Sequence, residues 1–215
     1  MNKINTVLLD FDGTVMNTND LILKSWQHTF KTITGQEGDE EKIKKSFGET
    51  LAKTMGEFFP EFSIEEGVEI YRKYQVGSFA DEIEPFPGMI ELIHELKKKG
   101  YKIAVVTSRL RRTTMEGLEK YGLQEYLDAI ITMEDCTKHK PDPEPAMIAL
   151  EKLKSNPQEA IMLGDSKFDI GCANNAGITS VLVGWAEALY DKEKEGLFKP
   201  DYIINKAEEL FEILD

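Results

Sequence analysis

Thr6-Val7-Leu8-Leu9-Asp10-Phe11-Asp12-Gly13-Thr14 joins a short apolar run to two carboxylates and a glycine turn. The run lacks polar alternation, so it reads as a strand buried on both faces, as in a parallel sheet covered by helices. Its two carboxylates then fall at the strand's carboxyl end, where open α/β sheets place their ligands. Outward from this stretch, similar runs occur at 103–106, 129–131, 161–163, 181–183 and 202–204. Between them Ile90, Ile93 and Leu96, then Met115, Leu118 and Tyr121, then Met147, Leu150 and Leu153 recur at helical spacing. Gly100 and Gly122 follow the first two as stops. Strand alternating with helix predicts βαβ units, and hence an α/β fold with a doubly wound, Rossmann-like parallel sheet.

One segment breaks the alternation. From Val15 to about residue 80 no short β-branched run appears, and helical signals follow one another. Ile22, Trp26 and Phe30 share a face; Ser63-Ile64-Glu65-Glu66 has the form of a capping box, with Ile64, Val68 and Tyr71 at helical spacing. Pro85-Phe86-Pro87-Gly88 punctuates the return to the sheet. The expected organisation is a core of residues 1–14 and 82–215, with an all-helical cap domain inserted at 15–81. Hinges are expected near Val15-Met16 and at 82–87.

Composition narrows the function. The chain has 215 residues, with 26 Lys and Arg against 39 Asp and Glu, for a formal net charge of −13. That balance argues against nucleic acid, whose binding requires positive charge to displace counterions. No stretch approaches the ~18 apolar residues of a membrane span, and the apolar run at residues 7–9 is too short for a signal peptide. Cys136 and Cys172 have no metal-like spacing, which disfavours disulfide scaffolds and cysteine zinc sites. The expected compartment is the cytoplasm. Lys97-Lys98-Lys99 and Asp39-Glu40-Glu41 read as solvated faces.

The strand ends carry the chemistry. Asp10 and Asp12 end the first, Thr107 and Ser108 the next; Lys140-Pro141-Asp142-Pro143 follows the third, and Asp165 ends the fourth, with Asp169 one helical turn on. If these ends converge, four carboxylates crowd one site and need compensation. A divalent cation and a lysine supply it, and carboxylates without His or Cys select a hard ion, Mg²⁺ first. One carboxylate free of the metal offers a general acid and base beside a nucleophile. A Thr107 hydroxyl and backbone N–H groups near Gly13 suit phosphoryl oxygens. The set fits phosphoryl transfer through an aspartyl phosphate.

Asp10-Phe11-Asp12-Gly13-Thr14, Thr107, Lys140-Pro141 and Gly164-Asp165-Ser166-Lys167-Phe168-Asp169 together resemble the four motifs of the haloacid dehalogenase-like hydrolases. The resemblance runs in order through nearly the whole chain, and one subgroup of that family carries a helical cap after the first motif. It implies that Asp10 attacks phosphorus and that Asp12 protonates the leaving group and then activates water. It further implies that Thr107, with Ser108 beside it, holds a phosphoryl oxygen and that Lys140 steadies Asp10. Asp165 would ligate Mg²⁺ with Asp10 and the backbone carbonyl of Asp12, and Asp169 would be a further ligand or a brace. Gly48-Glu49-Thr50 interrupts the cap helices where related enzymes place a substrate-specificity loop.

Among the family's branches the chain is most similar to phosphoglycolate phosphatases and related pyrophosphatases. Asn17-Thr18-Asn19-Asp20-Leu21-Ile22, the 140–145 stretch and Val183-Gly184-Trp185 resemble the pyrophosphatase branch in particular. The implied partner is a small phosphorylated metabolite, not nucleic acid or membrane, and both monomer and dimer are compatible with the sequence. A mutase of the β-phosphoglucomutase type is the enzymatic alternative, disfavoured because such mutases carry a histidine soon after the first motif and Ser-Ala-Ser at the second. A phospho-accepting receiver domain is the alternative of another class, disfavoured by the helical insertion and the second acidic motif. His28 is a weak candidate for facing substrate, His94 is expected to be exposed, and His139 to shape its loop. Trp26, Phe30 and Tyr71 are expected in the core of the cap.

Overall fold

The computed structural model describes residues 3–76, 79–186 and 198–214. The expected cap includes residues 77–78, and the expected core includes 1–2, 187–197 and 215; these lie outside the described residues. Strand β1 (Thr6–Leu9) leads through a turn to a short extended piece, β2 (Met16–Asn17). Four helices follow, α1 (Asn19–Thr34), α2 (Glu40–Lys45), α3 (Leu51–Phe58) and α4 (Ile64–Gln75). The chain returns through α5 (Phe79–Glu82) and β3 (Glu84–Pro85). From there strand and helix alternate: α6 (Met89–Lys98), β4 (Lys102–Val106), α7 (Arg111–Lys120), β5 (Ala129–Ile131), α8 (Glu144–Leu153), β6 (Ala160–Gly164), α9 (Lys167–Ala176) and β7 (Thr179–Val183). Strand β8 (Tyr202–Ile204) and helix α10 (Leu210–Leu214) complete the described part.

Six strands form one parallel sheet in the order β5-β4-β1-β6-β7-β8. The period of two along each strand sorts side chains to two cores. Val7, Leu9, Ile103, Val105, Ile161 and Leu163 face α6, α7 and α10 through Met89, Ile93, Leu118 and Leu210. Leu8, Ala104, Val106 and Met162 face α8 and α9 through Ala146, Leu150, Cys172 and Ala173. With apolar cover on both faces, these strands lack the polar alternation of a half-exposed sheet, as their sequence predicts.

Helices α1 to α4 enclose a third core of their own, built on Trp26, Ile43, Phe47, Met55, Phe59 and Tyr71. Ser63 caps α4 as its spacing predicts, its hydroxyl accepting from the Glu66 N–H at 3.3 Å. The insertion is not helical throughout, however. Met16 and Asn17 pair antiparallel with Pro85 and Glu84, so the chain's two crossings form a small ribbon at the root of the helical unit. The physical reason is proximity: both crossings leave the sheet at one place, and extended segments lying side by side satisfy each other's backbone groups.

Candidate active site

The parallel register brings the carboxyl ends of β1, β4 and β6 to one edge. Asp10 directly follows β1, and its N–H donates to the Leu163 carbonyl of β6 at 2.9 Å, fixing it between the central strands. Asp165 directly follows β6, and Asp169 lies in the first turn of α9; all three acids are buried. One carboxylate oxygen from each lies within 4.8 Å of the others. Lys140, 4% exposed, donates through Nζ to Asp10 Oδ1 at 2.6 Å and to Asp169 Oδ1 at 2.5 Å. Its peptide to Pro141 is cis. Asp169 Oδ2 accepts from the Ser166 N–H at 3.2 Å and from its hydroxyl at 2.5 Å. Asp169 therefore closes the capping box of α9 while it holds Lys140.

The charges on this floor do not cancel. Burial and the nearby Asp169 push the Asp10 carboxyl up to about 8, Asp12 adds to the rise, and Lys140 opposes it. Asp165 is likewise held well above the ordinary carboxylate range, by burial first and then by Asp169 and Asp10. Burial alone would lower Lys140, but the attraction of Asp10 and Asp169 outweighs it and the ammonium is kept charged. Three buried acids against one lysine leave a demand for a further cation. Oxygen donors alone suit a hard ion such as Mg²⁺. Gly13 leaves room beside this cluster: at φ +75 it turns the chain so tightly over Asp165 that a Cβ would run into that carboxylate.

Asp12 takes a different path. It turns away from the other three acids and is held by Arg109, whose Nε lies 3.0 Å from Oδ1 and 2.9 Å from Oδ2, with Nη2 2.7 Å from Oδ1. The Thr18 hydroxyl, just before α1, donates to Oδ1 at 2.6 Å. Arg109 also lies over the Phe79 ring, 4.5 Å from its centroid, with Nη1 3.5 Å from Gln75 Oε1. Burial would lower the guanidinium's pKa; Asp12 more than offsets that and raises it. Arg109 was no part of the expected site, and its position directly after Thr107-Ser108 is the only sequence signal it offers.

Asp10, Asp12, Thr107, Ser108, Lys140 and Arg109 all line one cavity of about 150 Å³ between the strand ends and the helical unit. Thr107 is pinned by its N–H to the Ile131 carbonyl at 2.9 Å, and its hydroxyl accepts from the Arg109 N–H at 3.1 Å. The helical side contributes Gly48 and Glu49, with Trp26, Tyr71 and Arg72. Trp26 and Tyr71 thus serve the cap core, as expected, and the cavity wall as well. Gly48, at φ +86, touches both banks of the sheet edge. Its carbonyl accepts from the Ser108 hydroxyl at 3.5 Å, and a Cβ would lie 2.5 Å from Ser166 Oγ.

Other expectations need correction. The Gly13 N–H is spent on the Met16 carbonyl at 2.9 Å, closing the turn, and is not offered to a ligand. Thr50 is absent from the cavity lining; its N–H donates to Glu49 Oε1 at 2.9 Å where α3 begins, and Glu49 also pairs with Lys53. The Asp12 side chain is not in the acidic cluster, because Arg109 and Thr18 draw it away. His28 is exposed and stacks on Tyr74, outside the cavity lining. His94 is half-buried against Tyr126 instead of exposed. The His139 carbonyl accepts from the Asp142 N–H at 2.9 Å within the Lys140 loop.

Among the described residues no helix is long and apolar enough to cross a membrane. The chain is 38% identical over 213 residues to the pyrophosphatase PpaX of Halalkalibacterium halodurans, a match covering 99% of this chain and 97% of that one. A haloacid dehalogenase-like family hydrolase of Streptococcus pneumoniae, 26% identical, superposes with a TM-score of 0.85 over 100% of both chains. A Lactobacillus plantarum protein assigned as a phosphoglycolate phosphatase, 25% identical, also gives 0.85, over 99% of this chain and 100% of that one. The pattern of the haloacid dehalogenase-like hydrolases matches residues 7–183. That span holds all four acids, Lys140 and the helical insertion, and the chain is an enzyme of the haloacid dehalogenase-like hydrolase family.

Proposed function

We propose that the chain is a Mg²⁺-dependent phosphatase of a small phosphorylated metabolite, either pyrophosphate or a phosphoglycolate-like monoester, working through an aspartyl phosphate on Asp10. The observation that carries this reading is Asp10 itself, bonded to Lys140 beside two further buried acids and open to a closed-in cavity. The full-length likeness to a pyrophosphatase adds support.

In this reading an Asp10 carboxylate oxygen attacks phosphorus, the P–O bond to the leaving group breaks, and Asp12 delivers a proton to the departing oxygen. Water then attacks the acyl phosphate, Asp12 takes up its proton, and phosphate leaves with Asp10 restored. Lys140 fixes the nucleophile and offsets charge on the transferring group, while the Thr107 hydroxyl holds one of its oxygens. Mg²⁺, held by Asp10, Asp165 and the Asp12 carbonyl with Asp169 bracing through Lys140, would neutralise charge that gathers on the phosphoryl oxygens. Residues 15–81 act as the cap, with the β2–β3 ribbon as its root, and the Gly48 contact excludes water while substrate is bound.

The test is phosphate release from pyrophosphate, 2-phosphoglycolate and sugar phosphates, with Mg²⁺ and with chelator. Turnover of one of the first two that vanishes with chelator is the expected result. A protein inert on the whole panel, or indifferent to chelator, overturns the reading.

A further inference from the structure

Arg109 poses a problem for any chemistry that uses Asp12. It contacts both oxygens of that carboxylate, and Thr18 takes a further position on Oδ1. Arg109 and Thr18 meet Oδ1 and Arg109 Nε meets Oδ2, so a leaving group has to compete with Arg109 for this carboxylate. A desolvated guanidinium leaves a bidentate carboxylate only for another anion. Water is a poor replacement in a pocket where the Arg109 side chain is 9% exposed.

The surroundings of Arg109 indicate where that anion sits. In a chain of net charge −13, the cavity is lined by three arginines from three separate elements. They are Arg72 of α4, Arg109 after β4 and Arg112 of α7. Neither Arg72 nor Arg112 has a carboxylate within salt-bridge distance among the described residues. Lys140 is already committed to Asp10 and Asp169 on the floor. The arginines are therefore surplus to the phosphoryl group in flight and suit negative charge on the other side of the scissile bond. The guanidinium lies against the Phe79 ring, and its Nη1 donates to Gln75, which lines the same cavity.

We propose that Arg109 is the receptor for a second anionic group on the leaving-group side of the substrate, and that seating this group releases Asp12. The inference rests on the phosphatase reading and defines its substrate class. A second phosphate or a carboxylate near the scissile oxygen satisfies it, and a neutral alcohol or phenol does not. Substrates without the second anion leave Arg109 on Asp12 and turn over slowly, which ties specificity to proton transfer.

The experiment compares wild type with Arg109→Leu and Arg109→Lys, each folded by thermal melting and saturated with Mg²⁺, on pyrophosphate, 2-phosphoglycolate and p-nitrophenyl phosphate. Loss of a charged hydrogen-bonding partner predicts that Arg109→Leu lowers the kcat/KM ratio of a substrate whose leaving group carries a phosphate or carboxylate to p-nitrophenyl phosphate about 10- to 100-fold. Arg109→Lys, which keeps the charge and loses the fork, should fall between. A drop confined to pyrophosphate assigns the receptor to phosphate, and one confined to 2-phosphoglycolate to carboxylate; both support the proposal. A constant ratio, with all three substrates slowed alike, reduces Arg109 to a positioning residue for Asp12 and overturns it. Wild type inert on all three would instead overturn the phosphatase reading. Calorimetric binding adds a readout free of turnover: methylenediphosphonate should lose its advantage over methylphosphonate in Arg109→Leu, and an unchanged advantage also overturns the proposal.

Discussion

The floor of the site and its wall start from positions two residues apart, Asp10 and Asp12, and reach opposite electrostatic states. On the floor three buried acids share Lys140, and Asp10 and Asp165 are driven toward their neutral forms. On the wall Asp12 is matched by Arg109 and a hydroxyl and Glu49 by Lys53, with two more arginines beyond. The floor lacks positive charge and the wall has it to spare. A substrate that carries its own anion to the wall, and a divalent ion on the floor, would bring both into balance.

Floor and wall differ most at the two acids themselves. Asp10→Asn removes the proposed nucleophile and should cut kcat by at least about 10,000-fold, measured as steady-state phosphate release. Activity near wild type would remove the covalent mechanism. Asp12→Ala removes the proposed proton donor and should cost about 100- to 10,000-fold, with a smaller loss in the phosphorylation step on p-nitrophenyl phosphate, whose leaving group needs little protonation. Equal single-turnover losses in the phosphorylation step on p-nitrophenyl and alkyl esters would deny Asp12 the role of proton donor.

These acids were legible because of where buried strands end. Val7-Leu8-Leu9 and Ile161-Met162-Leu163 are recognisable as doubly covered strands, and Asp10 and Asp165 are the groups those strands deliver. Lys140 could be read because its proline-rich setting marked a loop after a strand. Arg109 could not be paired with Asp12, since 97 residues separate them and the bond depends on β1 and β4 being neighbours in the sheet. Arg72 was hidden for a related reason: on an isolated amphipathic helix a half-buried arginine reads like any solvated one. Strands of two residues, such as Met16–Asn17, are too short to show a period at all.

Lys140→Met tests the floor by taking away its one cation. Leaving Asp10 and Asp169 without their buried partner should cost about 3–5 kcal/mol of stability in metal-free protein, read from urea unfolding. Added Mg²⁺ should recover part of that cost, because it supplies charge to the same acids. A variant as stable as wild type without metal would mean the acids are balanced by something other than Lys140.

The smallest effect is also the most specific to the floor, the pH dependence of metal-free stability. Asp10 titrates near 3.8 in the unfolded chain and at about 8 in the fold, so between those values the native state holds a proton that the unfolded state has lost. Stability then falls as pH rises through that window, and the elevated Asp165 acts in the same direction. The lowered carboxyls of Asp135 and Glu144 contribute their change below the ordinary carboxylate range, and Lys140, raised from 10.5, loses its contribution only in strong alkali. Neither masks the window. With chelator, Tm should decline by several degrees from pH 5 to pH 8, on the order of what a few kcal/mol produces in a domain this size. The rise in Tm on adding Mg²⁺ should grow over the same range, since at high pH the metal no longer has protons to displace. Asp10→Asn should flatten the decline, whereas Arg109→Leu, which alters only the wall, should keep it. A metal-free Tm that is level or rises toward pH 8 would show that the floor is not short of positive charge.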